Sequence, residues 1–186
     1  MNTHPNLAAA ANSVLVVVDI QTRLTAVMAE AGGVSQCVTV LLAAAQRLAV
    51  PVLVTEQYPQ GLGATEPALL AALPAQTPVL AKTGFSCCAA PGFMEALQVT
   101  GRKQVILVGL ETHVCILQTA LELLFMGYQV QVVADGVCSR DAEHKRFALK
   151  RLRQQGATIT NYESVLFEWL RDAAHPEFKT LSRLLR

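Results

Sequence analysis

Charged side chains are scarce in this 186-residue chain, at 16 %, and aromatic ones scarcer still, at 5 %. The 15 Lys and Arg nearly cancel the 14 Asp and Glu, leaving a formal charge of +1. No Lys/Arg cluster with interleaved aromatics stands out, so the expected partner is a small molecule, with no nucleic acid and no anionic membrane. No GxGxxG and no glycine-rich lysine loop follows an apolar run, which removes the nucleotide fingerprints. The four histidines, His4, His113, His144 and His175, stand far apart without an HExxH pairing. Spacing therefore supports no zinc site, and neither metal nor other cofactor is expected. The five cysteines form no CxxC, and their odd count fits a reducing compartment, hence a cytoplasmic protein. The N-terminal apolar stretch has no basic start and runs into Asp19, so it reads as neither signal peptide nor membrane span. No Pro/Ser/Gly-rich linker divides the chain, which predicts one domain over residues 1–186.

What is abundant is hydrophobic residue, 52 % of the chain, an apolar balance that suits a homo-oligomer. Short runs rich in Val, Ile and Leu alternate with longer stretches of helical period. Strands are predicted at Val14–Val18, Val52–Val54, Val79–Ala81, Gln104–Val108, Gln129–Val133 and Thr158–Thr160, with helices at Val34–Ala49, His113–Met126 and Asp141–Gln155. Gly127 and Gly156 fall where two of those helices should stop. Strands this uniformly apolar need cover on both faces. The fold class is therefore α/β: a doubly wound, Rossmann-like three-layer sandwich on a six-stranded parallel sheet of order 3-2-1-4-5-6. Ligands bind such sheets beyond the carboxyl ends of the strands.

Three chemistry-bearing residues fall at that edge. Asp19 closes the run Val14–Val18, Lys82 closes Pro78–Ala81, and Cys115 stands at the head of the apolar helix after Val105–Val108. A cysteine in the first turn of a helix faces unpaired N–H groups and the positive end of the macrodipole, which predicts an activated thiolate near neutral pH. A buried lysine needs a partner, and Asp19 is the obvious one, although Lys82 lies about 10 Å away across two strand spacings. A plain core cysteine and a loop-tying salt bridge are the alternative readings of these groups. His113 is a poor base for Cys115, because residues two apart on a helix point to nearly opposite sides. Thr112 reads as an N-cap. Adjacent Cys87 and Cys88 cannot easily close a disulfide and read as packing or loop residues. Gln21, Gln57, Tyr58, Phe85, Thr112 and His113 are candidate pocket residues, since they fall in loops at the same edge.

Val16-Val17-Val18-Asp19-Ile20-Gln21, Ala81-Lys82-Thr83-Gly84-Phe85-Ser86 and Gly109-Leu110-Glu111-Thr112-His113-Val114-Cys115 resemble, in order, the three signature segments of the isochorismatase-like cysteine hydrolases. Asp135-Gly136-Val137-Cys138-Ser139-Arg140 resembles that family's segment after the fifth strand. Thr55-Glu56-Gln57-Tyr58-Pro59-Gln60-Gly61-Leu62-Gly63 and Ala174-His175-Pro176-Glu177-Phe178-Lys179 look like the versions in its isochorismatase-domain-containing group. The resemblance implies a catalytic triad: Cys115 as nucleophile, Asp19 as the group that takes and returns a proton, and Lys82 as the cation orienting both. It also implies a cis peptide between Leu110 and Glu111, turning the backbone N–H groups of Glu111 and Cys115 toward an oxyanion.

The family's nicotinamidases carry an Asp-x-His metal motif after the second strand, where this chain has Thr55-Glu56-Gln57-Tyr58; a metal-independent enzyme is expected. Members that cleave isochorismate, a vinyl ether, do not need the thiol, so Cys115 points instead to C–N hydrolysis of a small amide or imide-like substrate through a thioester-type intermediate. Enol ether hydrolysis and a catalytically quiet oligomeric binding or scaffold protein are the alternatives. Finally, Phe178, Leu181, Leu184 and Leu185 recur at helical spacing after Pro176. This stripe either closes over the chain's own sheet or packs on another subunit.

Overall fold

The computed structural model describes residues 4–185. Its sheet is built from β1 (Ser13–Val18), β2 (Val52–Gln57), β3 (Val79–Lys82), β4 (Gln104–Leu110), β5 (Gln129–Cys138) and β6 (Thr158–Thr160). All pairings are parallel and the order is β3-β2-β1-β4-β5-β6, as the alternating pattern predicted. Between and after the strands come α1 (Thr22–Thr25), α2 (Ala31–Arg47), α3 (Pro59–Leu62), α4 (Pro67–Ala72), α5 (Phe93–Val99), α6 (Leu117–Phe125), α7 (Ala142–Gln154), α8 (Tyr162–Leu170) and α9 (Phe178–Ser182).

Strand β1 explains the apolar runs. All six of its residues are buried. Leu15 and Val17 join the cluster formed with α2 and α8, while Val14, Val16 and Val18 join the one formed with α5 and α6. Successive side chains leave opposite faces of a strand, so a sheet covered twice demands an apolar residue at every position. Each fully buried Val or Leu contributes about 1.5–3 kcal/mol through burial. At the start of α7, Asp141 accepts a hydrogen bond from the N–H of Glu143 at 2.8 Å and caps the helix.

Strand β2 runs on past the predicted Val54 to Gln57, so Gln57 ends a strand and does not lie in a loop; three further elements differ more. Strand β5 continues to Cys138, because pairing interrupted after Leu107↔Val132 resumes at Gly109↔Val137. The apolar run breaks at Asp135-Gly136, where a Cβ on Gly136 would crowd Val108 Cγ1 at 2.9 Å and Cys37 Sγ at 3.0 Å. The helix expected from His113 begins instead as a π-helical turn, Thr112–Ile116, and becomes α-helical only at Leu117. The C-terminal stripe forms only the short α9 and a 3-10 turn. Leu181 is fully buried in the chain's own core, with Phe178 and Leu185 packed against it, while Leu184 faces outward. No helix among the described residues is long and apolar enough to cross a membrane.

Candidate active site

Asp19 is the first residue past β1 and takes a left-handed conformation, φ 52. Its N–H donates to Thr55 O at 3.0 Å and its carbonyl accepts from Gln21 N–H at 2.9 Å, so the backbone turn is pinned on both sides. The carboxylate is completely buried. Oδ2 accepts from Lys82 Nζ at 2.7 Å and Oδ1 accepts from Thr55 Oγ1 at 2.8 Å.

Lys82 ends β3, two strands away, in register with Gln57 of β2. The extended side chain crosses β2 to reach Asp19. Its ammonium, also buried, shares three protons among Asp19, Gln57 Oε1 at 2.6 Å, Phe85 O at 3.0 Å, Gly84 O at 3.3 Å and Cys115 Sγ at 3.5 Å. Burial, the largest single influence, would pull the lysine pKa down; the charge and hydrogen bond of Asp19, added to the influence of Cys115 and Cys87, outweigh it together and leave it raised.

Cys115 reaches this pair because β1 and β4 almost touch. Gly109 (φ 119) is in register with Val18, and a Cβ there would meet Val18 O at 2.0 Å. Only glycine permits that approach. In the π-turn that follows, the N–H groups of Val114 and Ile116 both donate to Glu111 O, at 3.1 and 3.2 Å. No cis peptide occurs among the described residues, so Leu110–Glu111 is trans, contrary to expectation. Thr112 is not the N-cap either: it is the first residue of the turn, Glu111 before it is the extended cap residue, and the fully buried Thr112 hydroxyl has no partner among the described residues.

The expected resting thiolate is also corrected. Burial, and then the charge of Asp19, push the Cys115 thiol up to about 12, against the lowering effect of Lys82. The resting group is a neutral thiol, 6 % exposed, beside a carboxylate able to take its proton.

The candidate pocket residues divide. Gln57 joins the site, since its Oε1 holds Lys82 while its Nε2 donates to Thr83 O at 2.7 Å. Gln21 is buried and structural: Nε2 donates to Gln57 O and Gly63 O, and Oε1 accepts from Gln57 N–H. Tyr58 is half exposed and lines an open cleft of about 300 Å³ with Lys82, Thr83 and Pro91. Phe85 is equally exposed and contributes its carbonyl to Lys82. His113 turns away toward α7, with Nδ1 2.9 Å from Ser139 Oγ and its ring 4.8 Å from that of His144. Glu111 is held by Arg140, whose N–H and Nε both donate to Oε2.

Two residues were missed. Thr55 orients Asp19; its signal was a hydroxyl ending the buried run Val52-Leu53-Val54. Cys87 packs as expected, but against the site, with Sγ 3.5 Å from Thr55 Oγ1 and its N–H on Thr119 Oγ1. Burial raises its thiol to about 11. The described cysteines are all free. Among the described residues, no three His, Cys, Asp or Glu side chains gather as a metal would require.

The chain as a whole is similar to known proteins. The isochorismatase-domain family model matches residues 13–164. Isochorismatase domain-containing protein 2A of Mus musculus is 40 % identical over 178 residues, covering 94 % of this chain and 83 % of its own. The structure of MAR1 ribonuclease from Caenorhabditis elegans superposes with TM-score 0.91 at 38 % identity, over 95 % of this chain and 91 % of that one. The YcaC gene product of Escherichia coli, described as an octameric hydrolase of unknown specificity, gives TM-score 0.91 at 25 % identity over 100 % of this chain and 91 % of that one. With the sheet order and the matched span in agreement, the chain belongs to the isochorismatase family.

Proposed function

We propose that the protein is a cysteine-dependent, metal-independent hydrolase that cleaves a C–N bond of a small amide or imide-like substrate. The observation that carries this reading is a buried ammonium, Lys82, joined to a carboxylate at 2.7 Å and to a thiol at 3.5 Å. Family membership supports hydrolysis in general; the thiol supports acyl chemistry in particular.

Cys115 Sγ attacks the carbonyl carbon as its proton passes to Asp19, and the carbonyl electron pair moves onto oxygen. With Leu110–Glu111 trans, the backbone N–H left to receive that charge is that of Cys115, in the first turn after β4. Collapse of the intermediate breaks the C–N bond, and Asp19 returns the proton to the departing nitrogen. A thioester remains. Water then attacks it with Asp19 again as base, and release of the acid restores the thiol. Because the thiol rests protonated, proton transfer to Asp19 accompanies attack, with Lys82 holding that carboxylate in place at 2.7 Å.

A screen of small amides and imides, with Cys115→Ala as the blank, tests the reading. Release of amine, together with an acyl adduct on Cys115 by mass spectrometry, is expected. Turnover that survives Cys115→Ala would favour enol ether cleavage, which needs no thiol. Failure of every substrate to acylate Cys115 would favour a catalytically quiet binding protein. Single-stranded RNA belongs in the same screen because of the ribonuclease relative.

We also propose a homo-oligomer, supported by the octameric relative and by large apolar side chains left exposed here, Phe125 at 93 % and Val99 at 88 %. Sedimentation velocity would measure it. A reducing, cytoplasmic setting is supported by five cysteines without a disulfide among the described residues.

A further inference from the structure

On the side of the π-turn away from Lys82, an open cleft of about 180 Å³ lies between α6 and α7, lined by His113, Leu117, His144, Phe147, Ala148 and Arg151. Residues 144, 147, 148 and 151 form one face of α7 by helical spacing. Leu117 and Ala148 are buried and make an apolar floor, while Phe147 stands 57 % exposed as a wall. The guanidinium of Arg146, 4.4 Å from the Phe147 ring centre, braces that wall from its own side of the helix.

The polar groups are cationic or neutral donors. Arg151 has no side-chain hydrogen bond and no carboxylate within salt-bridge reach among the described residues, unlike Lys145 and Arg146, which pair with Glu30 and Glu143. His113 spends Nδ1 on Ser139, leaving Nε2 without a partner among the described residues. The two carboxylates nearby are already engaged: Glu111 by Arg140, and Asp141 by the N–H of Glu143, with its other oxygen 4.0 Å from His144. Segment 141–153 as a whole carries five Lys and Arg against two acids, a charge of +3 in a chain of +1. The sparse charge of the sequence is therefore unevenly placed, and α7 holds the basic cluster that composition concealed.

Size and chemistry select the ligand class. An apolar cavity of about 150 Å³ holds one benzene ring. A planar guanidinium fork at the edge matches a carboxylate bidentately. We propose that this cleft binds a small aromatic monocarboxylate, its ring against Leu117 and Phe147 and its carboxylate on Arg151. The ligand would rest on the back of the turn that carries Cys115.

The test titrates sodium benzoate into the full-length protein and follows the imidazole signals of His113 and His144 by NMR. Saturable shifts with a dissociation constant of about 1 mM are expected, weakened about tenfold or more by Arg151→Glu and unaffected by Cys115→Ala. Benzyl alcohol, with the ring but no charge, and inorganic phosphate, with charge but no ring, should each bind about tenfold more weakly. Absence of saturable shifts, phosphate binding as tight as benzoate, indifference to Arg151→Glu, or loss in Cys115→Ala would each overturn the assignment. No turnover is read, so the result stands apart from the hydrolase reading.

Discussion

The carboxylate of Asp19 has two sides, and they differ in what they expose to a substrate. Through Oδ2 it meets Lys82 and, beyond it, Cys115; through Oδ1 it meets Thr55 and, beyond it, Cys87. Both thiols are buried and both are raised, to about 12 and about 11. What separates them is access and partner. Cys115 keeps a sliver of exposure and a cation, whereas Cys87 is sealed at 0 % and tied to hydroxyls. If Cys115 is the nucleophile proposed above, a depressed pKa is not its mark; a neighbouring cation and residual exposure are.

The largest expected effect is on the Lys82 side. Lys82→Met should cut turnover by about a thousandfold or more, the scale of losing an electrostatic stabiliser inside a dry site. It should also cost about 3–5 kcal/mol in stability, because the Asp19 carboxylate is left buried and unpaired. The Cys115 titration should move further up, since Lys82 is the group that lowers it. Denaturant unfolding and thiolate absorbance measure both. A stability loss with turnover and titration unchanged would reduce the pair to a tie between loops.

Alkylation by iodoacetamide sharpens the comparison next. Cys115 should label about tenfold or more faster than Cys87, by virtue of access alone, and its rate should rise about tenfold per pH unit from 7 toward 10 as thiolate accumulates. A plateau near neutral pH would restore the low-pKa thiolate that helix placement first suggested.

The pH dependence of stability follows with its sign. Cys115 and Cys87 lose their protons in the unfolded chain near pH 9 but hold them in the fold to about 12 and about 11. Between those values the native state binds more protons, so stability falls as pH rises above 9, by about 1.4 kcal/mol per pH unit for each thiol that only the unfolded chain has ionised. The raised pKa of Lys82 adds to the loss at the alkaline end, as its proton leaves the ion pair. Urea melts from pH 8 to 11 would give the slope, which Cys87→Ala should make shallower.

The smallest effects belong to the Oδ1 side. Thr55→Val removes a hydrogen bond to a buried charge, worth about 1.5–3 kcal/mol, and should slow turnover about tenfold by loosening Asp19. Cys87→Ala should change turnover by less than about threefold, since nothing links it to the substrate side. A larger loss in Cys87→Ala than in Thr55→Val, measured under one set of conditions, would reverse the division of Asp19 into working and supporting sides.

Much of this was legible. Asp19 and Lys82 each end a run of apolar residues, and a charge at the end of a buried strand has few reasons to be there other than the edge where ligands bind. Gln57 was read as pocket-lining and proved to be the clamp on Lys82, which no local pattern reveals because β3 must first dock beside β2. His113 lay in the right turn but on the wrong side of it, as its spacing from Cys115 implied. The π-turn, the trans Leu110–Glu111 bond and the orphaned Thr112 hydroxyl were invisible, because the pattern of apolar residues distinguishes helix from strand and not one helical pitch from another.

The sequence by itself determined the sheet: strands of unbroken Val, Leu and Ile can be satisfied only between two layers of helix, and parallel connection follows from the helices between them. It determined as well that Asp19, Lys82 and Cys115 would share one edge. Tertiary structure alone decided whether the thiol of Cys115 keeps its proton. Whether a thiol at a helix start is thiolate or thiol depends on the competition between burial, a carboxylate and an ammonium, and these meet only when Gly109 lets β4 close against β1 and Lys82 reaches across β2. Helix placement is a local property, but desolvation and charge pairing are set by what the rest of the chain brings within a few ångströms.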